Sequence, residues 1–236
     1  MTTARSRPRV ALAHAAYNVL FLLACVLATF PWAVRAWRDP RQGRWARERL
    51  GRLPAGHPTE APVWVHAVSV GEVKAARPLV RALRAHDPGL PIVLSTGTTT
   101  GYATARRLFP DLYVFQSPLD LVWVVRRVLR RLKPRLIVLL ELEVWPALLR
   151  VADELGVPQV IVNGRVTEQS WRSYRRWRWW LPEFDRLALV AAQDETYRER
   201  IAALGVPADR LHVTGNLKHF QRVPDLMLST VLGDNR

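Results

Sequence analysis

The fold is decided by the stretch Pro62-Val63-Trp64-Val65-His66-Ala67-Val68-Ser69-Val70-Gly71-Glu72-Val73. Its first part, from Pro62 to Val70, is an apolar run of the kind that favours a β-strand, and a glycine follows at once. Apolar residues then recur at helical spacing, at Ala75, Ala76, Leu79, Val80 and Leu83. The stretch therefore predicts a strand, a tight turn and a helix, with Glu72 in the first helical turn.

Glu72 has two interpretations on this pattern. In open α/β sheets, ligands bind at the carboxyl ends of the strands, and a carboxylate placed there can take a proton from a substrate hydroxyl. An acidic residue in the first turn of any helix also complements the helix dipole, whatever the protein does. The stretch alone leaves both interpretations open.

The same alternation of apolar and amphipathic segments continues along the chain. The predicted strands are Val63–Val70, Pro91–Thr96, Leu112–Phe115, Arg135–Leu140, Pro158–Asn163, Leu187–Ala192 and Leu211–Thr214. The predicted helices are Lys74–Ala85, Tyr102–Leu108, Leu121–Leu132, Ala147–Leu155, Trp171–Trp180 and Thr196–Leu204. Continuous apolar strands that alternate with helices favour a parallel sheet covered on both faces. We therefore predict an α/β fold, a single Rossmann-like, doubly wound and mostly parallel sheet over residues 61–218.

The composition excludes several classes of protein and of binding site. The chain has 35 Lys and Arg against 20 Asp and Glu, a formal net charge of +15, so anionic surfaces attract it. Its single cysteine, Cys25, excludes an internal disulfide framework and a cysteine-rich metal site. The histidines are scattered, and no metal-ligand spacing occurs. Neither a Gly-x-Gly-x-x-Gly after the first strand nor a Walker-type Gly-Lys-Ser/Thr is present, which leaves the usual dinucleotide and ATP sites unsupported.

The N-terminal region is apolar. Residues 10–34 contain no Asp, Glu, Lys or Arg, a length of about 25 residues where a spanning helix needs roughly 20. Arginines flank this stretch on both sides, and Trp32 and Trp37 lie at its far end, as interfacial aromatic residues do. A membrane anchor, a cleaved signal peptide and a buried helix are the three alternatives. We predict a membrane-associated N-terminal helix over residues 1–40, followed by a basic connector over residues 41–60.

Polar segments follow four of the predicted strands. They are Ser95–Gly101, Glu141–Pro146, Asn163–Arg165 and Val213–Lys218. If the second segment stays extended, Glu141 and Glu143 point to one side and repel each other, which raises the pKa of at least one. Ordinary turn and N-cap chemistry is the alternative for the first two segments.

These motifs, in this order and spacing, resemble the N-terminal domain of 3-deoxy-D-manno-octulosonic acid (Kdo) transferase over about residues 10–219. The motifs are Trp45…Glu48-Arg49-Leu50-Gly51, Ser69-Val70-Gly71-Glu72, Thr96-x-Thr98-x-Thr100-Gly101, Pro118-x-Asp120, Glu141-x-Glu143-x-Trp145-Pro146, Asn163-x-Arg165, Gln193-Asp194-Glu195 and Thr214-Gly215-Asn216-Leu217-Lys218. The resemblance implies the N-terminal half of a two-domain, GT-B-type glycosyltransferase that inverts configuration and needs no metal and no cofactor.

The resemblance also implies a reaction and its partners. Such an enzyme moves Kdo from CMP-Kdo to a lipid A precursor at the cytoplasmic face of the inner membrane. The implied partners are the lipid A precursor, the membrane and a donor-binding domain, with no nucleic acid. The charge alone suggests nucleic-acid binding, but no recognition motif accompanies it.

The resemblance assigns roles to residues of this sequence. Glu72 matches the general base, and Glu141 and Lys218 match positions that stabilise the transition state. The residues expected to bind substrate are Ser69, Gly71, Thr98, Thr100, Gly101, Glu143, Asn163 and Arg165.

Two departures from the family pattern affect these expectations. His219-Phe220 stands where the family usually has Phe-Asp, and the sequence stops at Arg236, where a second domain would begin. We therefore expect residues 219–236 to be a truncated interdomain linker, and we expect no turnover by this chain alone, because the donor would be held on one side only. A non-catalytic membrane-bound module that binds anionic glycolipid, or the partner half of a split transferase, is the alternative.

Overall fold

A seven-stranded sheet forms the centre of the computed structural model, which describes residues 15–20, 22–23, 40–58, 61–142, 144–177 and 184–217. The strands are β1 (Val63–His66), β2 (Ile92–Thr96), β3 (Tyr113–Gln116), β4 (Leu136–Leu140), β5 (Gln159–Gly164), β6 (Leu189–Ala192) and β7 (Leu211–Val213). The helices are α1 (Pro40–Arg49), α2 (Val70–His86), α3 (Thr99–Leu108), α4 (Val122–Leu132), α5 (Pro146–Glu154), α6 (Glu168–Trp177) and α7 (Glu195–Ala202).

The sheet is parallel throughout, in the order β3-β2-β1-β4-β5-β6-β7. The chain winds outward from β1 to β3, returns to β4 beside β1, and then winds outward the other way. The strand order therefore reverses between β1 and β4. A crevice for ligands forms at the carboxyl ends of strands where this reversal occurs.

Helices cover both faces of the sheet. Helices α2 and α3 pack on one face, over a core that includes Val65, Leu79 and Leu94. Helices α4 and α5 pack on the other, over a core that includes Trp64 and Leu148. Adjacent residues of β1 thus belong to opposite cores, as the alternation of side chains along a strand requires. The predicted doubly wound α/β fold is confirmed.

All seven predicted strands and all six predicted helices are present, and their bounds differ from the predicted ones by one to a few residues. The predicted strand Val63–Val70 ends at His66, because Ser69 caps α2 and Val70 is already helical. The predicted connector also contains α1, which the sequence did not indicate. The carboxylate of Glu48 holds α1 against the sheet edge, since it is buried and accepts the Gln116 amide of β3 at 2.9 Å.

The described part of the N-terminal region is helical at residues 15–20 and 22–23. The rest of the predicted N-terminal helix and the predicted linker lie outside the described residues. Four apolar side chains here are about half exposed, those of Val19, Leu20, Leu22 and Leu23. Within the described residues, no helix combines the length and the apolar character needed to cross a membrane.

Candidate active site at the carboxyl edge of the sheet

Glu72 lies at the carboxyl end of β1, in the first turn of α2. Ser69 is the N-cap residue, and its side chain accepts from the Glu72 amide, while the Glu72 carboxylate bonds back to Ser69. Glu72 Oε2 accepts from the Val68 amide at 2.8 Å, and Oε1 accepts from the Ser69 amide at 3.2 Å and from the Ser69 hydroxyl at 2.7 Å. The described donors thus occupy three of the roughly four acceptor positions of a carboxylate.

The pKa of Glu72 is raised above its ordinary value. Burial is the main cause, because only 5% of the residue is exposed and a buried carboxylate is poorly solvated. The hydrogen bonds from Ser69 and Val68 oppose this shift, and the negative charge of Glu141 adds to it. Glu72 and Glu141 follow the neighbouring strands β1 and β4, which explains why the charge of Glu141 affects Glu72.

Glu141 directly follows β4, but the extended conformation considered for residues 141–143 is wrong. Glu141 has φ of +58°, in the left-handed region, so the chain turns at once after Leu140. Its carboxylate pairs with Arg165 at 3.2 Å. Both side chains line a pocket of about 400 Å³ together with Trp145, Thr167, Ser170 and Tyr174. Glu143 lies outside the described residues.

The turn after β2 touches the turn after β1. Thr98 is the N-cap residue of α3, accepts from the Gly101 amide at 3.0 Å, and donates to the Val68 carbonyl at 3.3 Å. A Cβ at Gly101 would lie 2.7 Å from the Thr98 hydroxyl oxygen and 3.2 Å from the Val68 carbonyl, so only glycine allows this approach. Thr100 is exposed beside them.

Gly71 lies at the same carboxyl edge of the sheet as these turns, but its environment differs from that of Gly101. It is exposed, and a Cβ there would meet only the Ser69 hydroxyl oxygen, at an ordinary distance of 3.7 Å. Packing within the described residues therefore does not require a glycine at this position. The missing side chain leaves the surface over Ser69 and Glu72 open to a ligand.

Asn163, near the carboxyl end of β5, anchors the chain that follows β7. It is buried, has φ of +62°, and its side-chain oxygen accepts from the Leu217 amide at 2.8 Å. This bond fixes the chain immediately before Lys218, which itself lies outside the described residues. Of Glu72, Glu141 and Lys218, the described residues include the first two, which follow the neighbouring strands β1 and β4.

Asp120, between β3 and α4, received no role from its motif. It is 2% exposed and accepts from the Ala147 and Leu148 amides, each at 2.9 Å, and from the Tyr17 hydroxyl at 2.9 Å. Burial raises the pKa of Asp120 to about 6, although these three hydrogen bonds lower it. The sequence showed only an acidic residue between a predicted strand and a predicted helix. It did not indicate what Asp120 binds, because Tyr17, Ala147 and Leu148 are remote in sequence.

His66 closes β1 just below the Ser69–Glu72 turn. It is 3% exposed, and its Nδ1 lies 2.8 Å from the Ser95 hydroxyl, which also accepts from Trp64 Nε1 at 2.7 Å. Burial lowers the pKa of His66 from 6.5 to about 4. The imidazole is therefore neutral at physiological pH and serves as a fixed polar group in the core.

The burial of His66 predicts that the folded state loses stability as the pH falls. A histidine with a lowered pKa in the folded state contributes stability that is present above pH 6.5 and lost as the pH falls towards 4. Between about pH 7.5 and about pH 5, His66 should cost the wild type about 2 kcal/mol of unfolding free energy. His66→Asn should lose about 2 kcal/mol less over this range, measured by urea denaturation at each pH.

The control for this experiment is His86→Asn, which makes the same substitution at the exposed end of α2. Asp120, whose raised pKa acts in the opposite direction, is present in all three proteins. Equal acid sensitivity of His66→Asn and wild type would contradict the prediction.

The arrangement suits proton transfer from a bound hydroxyl. A carboxylate with a raised pKa is the better proton acceptor, and it lies beside a second, arginine-paired carboxylate at the switch point of the sheet. Among the residues that the structure describes, no group of three or more His, Cys, Asp or Glu side chains is placed to hold a metal ion.

Comparisons with known proteins show the family of this chain. The family model described as 3-Deoxy-D-manno-octulosonic-acid transferase (kdotransferase) matches residues 44–221. The chain is 34% identical over 218 residues to the 3-deoxy-D-manno-octulosonic acid transferase of Haemophilus influenzae, which covers 91% of this chain and 51% of the relative. It is 40% identical over 210 residues to the Bordetella pertussis enzyme of the same name, covering 81% and 47%.

A third relative is the 3-deoxy-D-manno-octulosonic acid transferase of Chlamydia trachomatis serovar D. It is 36% identical over 161 residues, which cover 67% of this chain and 37% of the relative. The chain thus spans about half the length, or less, of the curated relatives that it matches.

Proposed function

Because this chain belongs to the Kdo transferase family, we propose that it is the acceptor-binding half of an enzyme that moves Kdo from CMP-Kdo to a lipid A precursor. The observation that carries the proposal is Glu72, a buried carboxylate with a raised pKa at the switch point of the sheet. The donor-binding half is proposed to come from a second domain or chain.

In the proposed reaction, a hydroxyl of the acceptor attacks the anomeric carbon of Kdo. The new carbon–oxygen bond forms as the bond between Kdo and CMP breaks, and the bonding electrons leave with CMP. Glu72 takes the hydroxyl proton, since a sugar hydroxyl is a poor nucleophile while it keeps that proton. The donors described at Val68 and Ser69 occupy three of the roughly four lone-pair positions of the Glu72 carboxylate. We assign the proton to the remaining position.

The other site residues hold the acceptor and balance its charge. Arg165 offers a guanidinium suited to phosphate, and it borders the Glu141 pocket. Lys218 follows Leu217, which Asn163 anchors at the same edge of the sheet. We assign the offset of charge on the departing CMP to Lys218 and to the donor-binding half.

The proposed location is the cytoplasmic face of the inner membrane. The protein is proposed to contact this membrane through one surface. This lipid-facing surface consists of the exposed side chains of Val19, Leu20, Leu22 and Leu23 and the exposed face of α4, which carries Trp123, Arg126, Arg127, Arg130 and Arg131. The two parts meet where the Asn18 side chain accepts from the Val122 amide at 3.3 Å. Exposed apolar and aromatic residues beside arginines suit an anionic lipid surface.

Acceptor binding tests this proposal without the donor half. A deacylated, phosphorylated lipid A disaccharide is titrated against the chain, and tryptophan fluorescence reports binding. Removal of the phosphates should weaken binding by about tenfold or more, since a charge-assisted pair contributes about 1.5–3 kcal/mol. Arg165→Gln should remove part of the difference between the two ligands. Equal affinity for both disaccharides would contradict the proposal.

A further inference from the structure

Two helices at the site begin without a cap from their own N-cap residue. Helix α5 starts after Trp145 and α4 starts after Leu121, and within the described chain neither residue makes a side-chain cap bond. Remote residues supply the caps instead. Asp120 accepts from the Ala147 and Leu148 amides of α5, each at 2.9 Å.

The N-terminal segment contacts both of these helix starts. Asn18 accepts from the Val122 amide of α4 at 3.3 Å, and the Tyr17 hydroxyl donates to Asp120 Oδ2 at 2.9 Å. Asp120 Oδ2 is also the oxygen that accepts from Ala147. One buried carboxylate oxygen therefore joins the N-terminal segment to the first turn of α5.

The first turn of α5 fixes one end of the segment that carries Glu141. This segment runs from the end of β4 at Leu140 to Pro146, and Glu141 at its start is in the left-handed conformation. Its path therefore depends on where α5 begins. The Tyr17 hydroxyl is connected to this path through the Asp120 carboxylate, which bonds to both Tyr17 and α5.

We propose that Asp120 is a positioning residue that couples the N-terminal segment to the Glu141 segment, with the Tyr17 hydroxyl as the contact that transmits the coupling. The catalytic part of this inference rests on the proposed function, because it requires that Glu141 act in Kdo transfer. The coupling itself is a property of the chain, and it is testable without any substrate.

Tyr17→Phe removes the hydroxyl and keeps the ring. In the full chain, hydrogen exchange measured by NMR should accelerate about fivefold or more at the Ala147 and Leu148 amides. The Val138 amide, in the centre of β4, should exchange as in the wild type, which separates a local effect from global destabilisation. Asp120→Asn should accelerate exchange of the same two amides further, because one acceptor oxygen is lost.

Tyr113→Phe is the matched control, since it also deletes a tyrosine hydroxyl bond, at 2.7 Å to the Pro54 carbonyl on a different part of the fold. It should leave Ala147 and Leu148 protected. Unchanged protection of both amides in Tyr17→Phe, or equal acceleration in Tyr113→Phe, would overturn the coupling.

The positioning role has a kinetic test in the chain combined with a donor-binding half. Tyr17→Phe should lower kcat several-fold while the KM for CMP-Kdo stays within about twofold, because the contact lies away from the donor. A change confined to KM, or none, would overturn the role in catalysis. If the combined wild type transfers no Kdo, the proposed function fails, and the exchange measurement still decides the coupling.

Beside Asp120 lies a small cavity of about 20 Å³ that is also lined by His66, Ser117 and Trp145. His66 Nε2 and Trp145 Nε1 are buried and have no hydrogen-bond partner among the described residues. The volume suits one water molecule, and the lining offers polar groups to bind it. We infer a water site that bridges β1 and the N-cap of α5.

A high-resolution crystal structure of the chain tests this water site. The expected result is an ordered water within about 3.2 Å of both His66 Nε2 and Trp145 Nε1. A dry cavity, or a water bound to neither nitrogen, would overturn it.

Discussion

Glu72→Gln should lower Kdo transfer by about 10²–10⁴-fold when the chain is combined with the donor-binding half of a family member, because the acceptor hydroxyl loses the group that takes its proton. The glutamine keeps the shape of the side chain and one oxygen that can accept from the Val68 or Ser69 amide. Helix α2 should therefore remain capped. Transfer is measured as radiolabelled Kdo incorporated into the acceptor.

Two controls separate the loss of a base from the loss of structure. Glu199→Gln makes the same chemical change on α7, away from the carboxyl ends of β1 and β4, and should leave the rate unchanged. The unfolding free energy of Glu72→Gln should lie within about 1 kcal/mol of the wild type, the size expected for a changed N-terminal cap. A stable Glu72→Gln protein that transfers Kdo at close to the wild-type rate would refute the assignment.

Trp64→Ala should destabilise the chain by about 3–5 kcal/mol, measured by urea denaturation. Trp64 is completely buried in β1, its ring centroid lies 5.6 Å from that of Phe115, and its Nε1 donates to the Ser95 hydroxyl at 2.7 Å. The substitution leaves a large cavity and removes a partner from a buried hydroxyl. A loss of this size is a large fraction of the 5–15 kcal/mol typical of a domain.

Trp123→Ala is the matched control for Trp64→Ala. Trp123 is 49% exposed on α4, and its described contact is the Arg127 guanidinium 5.5 Å from the ring centroid. Its loss should cost no more than about 1 kcal/mol. The same variant should bind vesicles of anionic phospholipid more weakly than the wild type, because Trp123 belongs to the lipid-facing surface. Equal costs for the two tryptophans would contradict the packing described for β1.

The order of strands and helices was predictable because the inner strands of this sheet are buried on both faces. Such strands appear in the sequence as continuous apolar runs, and β4 is a clear case, with Leu136 to Leu140 all buried. The bounds were less predictable. The apolar run through Val70 conceals the capping box of Ser69 and Glu72, in which side-chain bonds end the extended segment and start α2.

Conformations that depend on tertiary contacts were not predictable. Glu141 adopts a left-handed backbone that glycine and asparagine favour, so its residue type gives no indication of the turn. The capping of α5 by Asp120 joins residues 27 positions apart, and local patterns do not indicate it. Helix α1 is polar along most of its length, and its place in the fold depends on the remote bond between Glu48 and Gln116.

A crystal structure of this chain with a deacylated, phosphorylated acceptor disaccharide bound would show most directly whether Glu72 takes the proton of the acceptor hydroxyl. The disaccharide is expected to lie across the carboxyl ends of β1 and β4, with one sugar hydroxyl within about 3.2 Å of a Glu72 carboxylate oxygen. A disaccharide bound at the opposite edge of the sheet, with Glu72 beyond hydrogen-bonding distance of every hydroxyl, would contradict it.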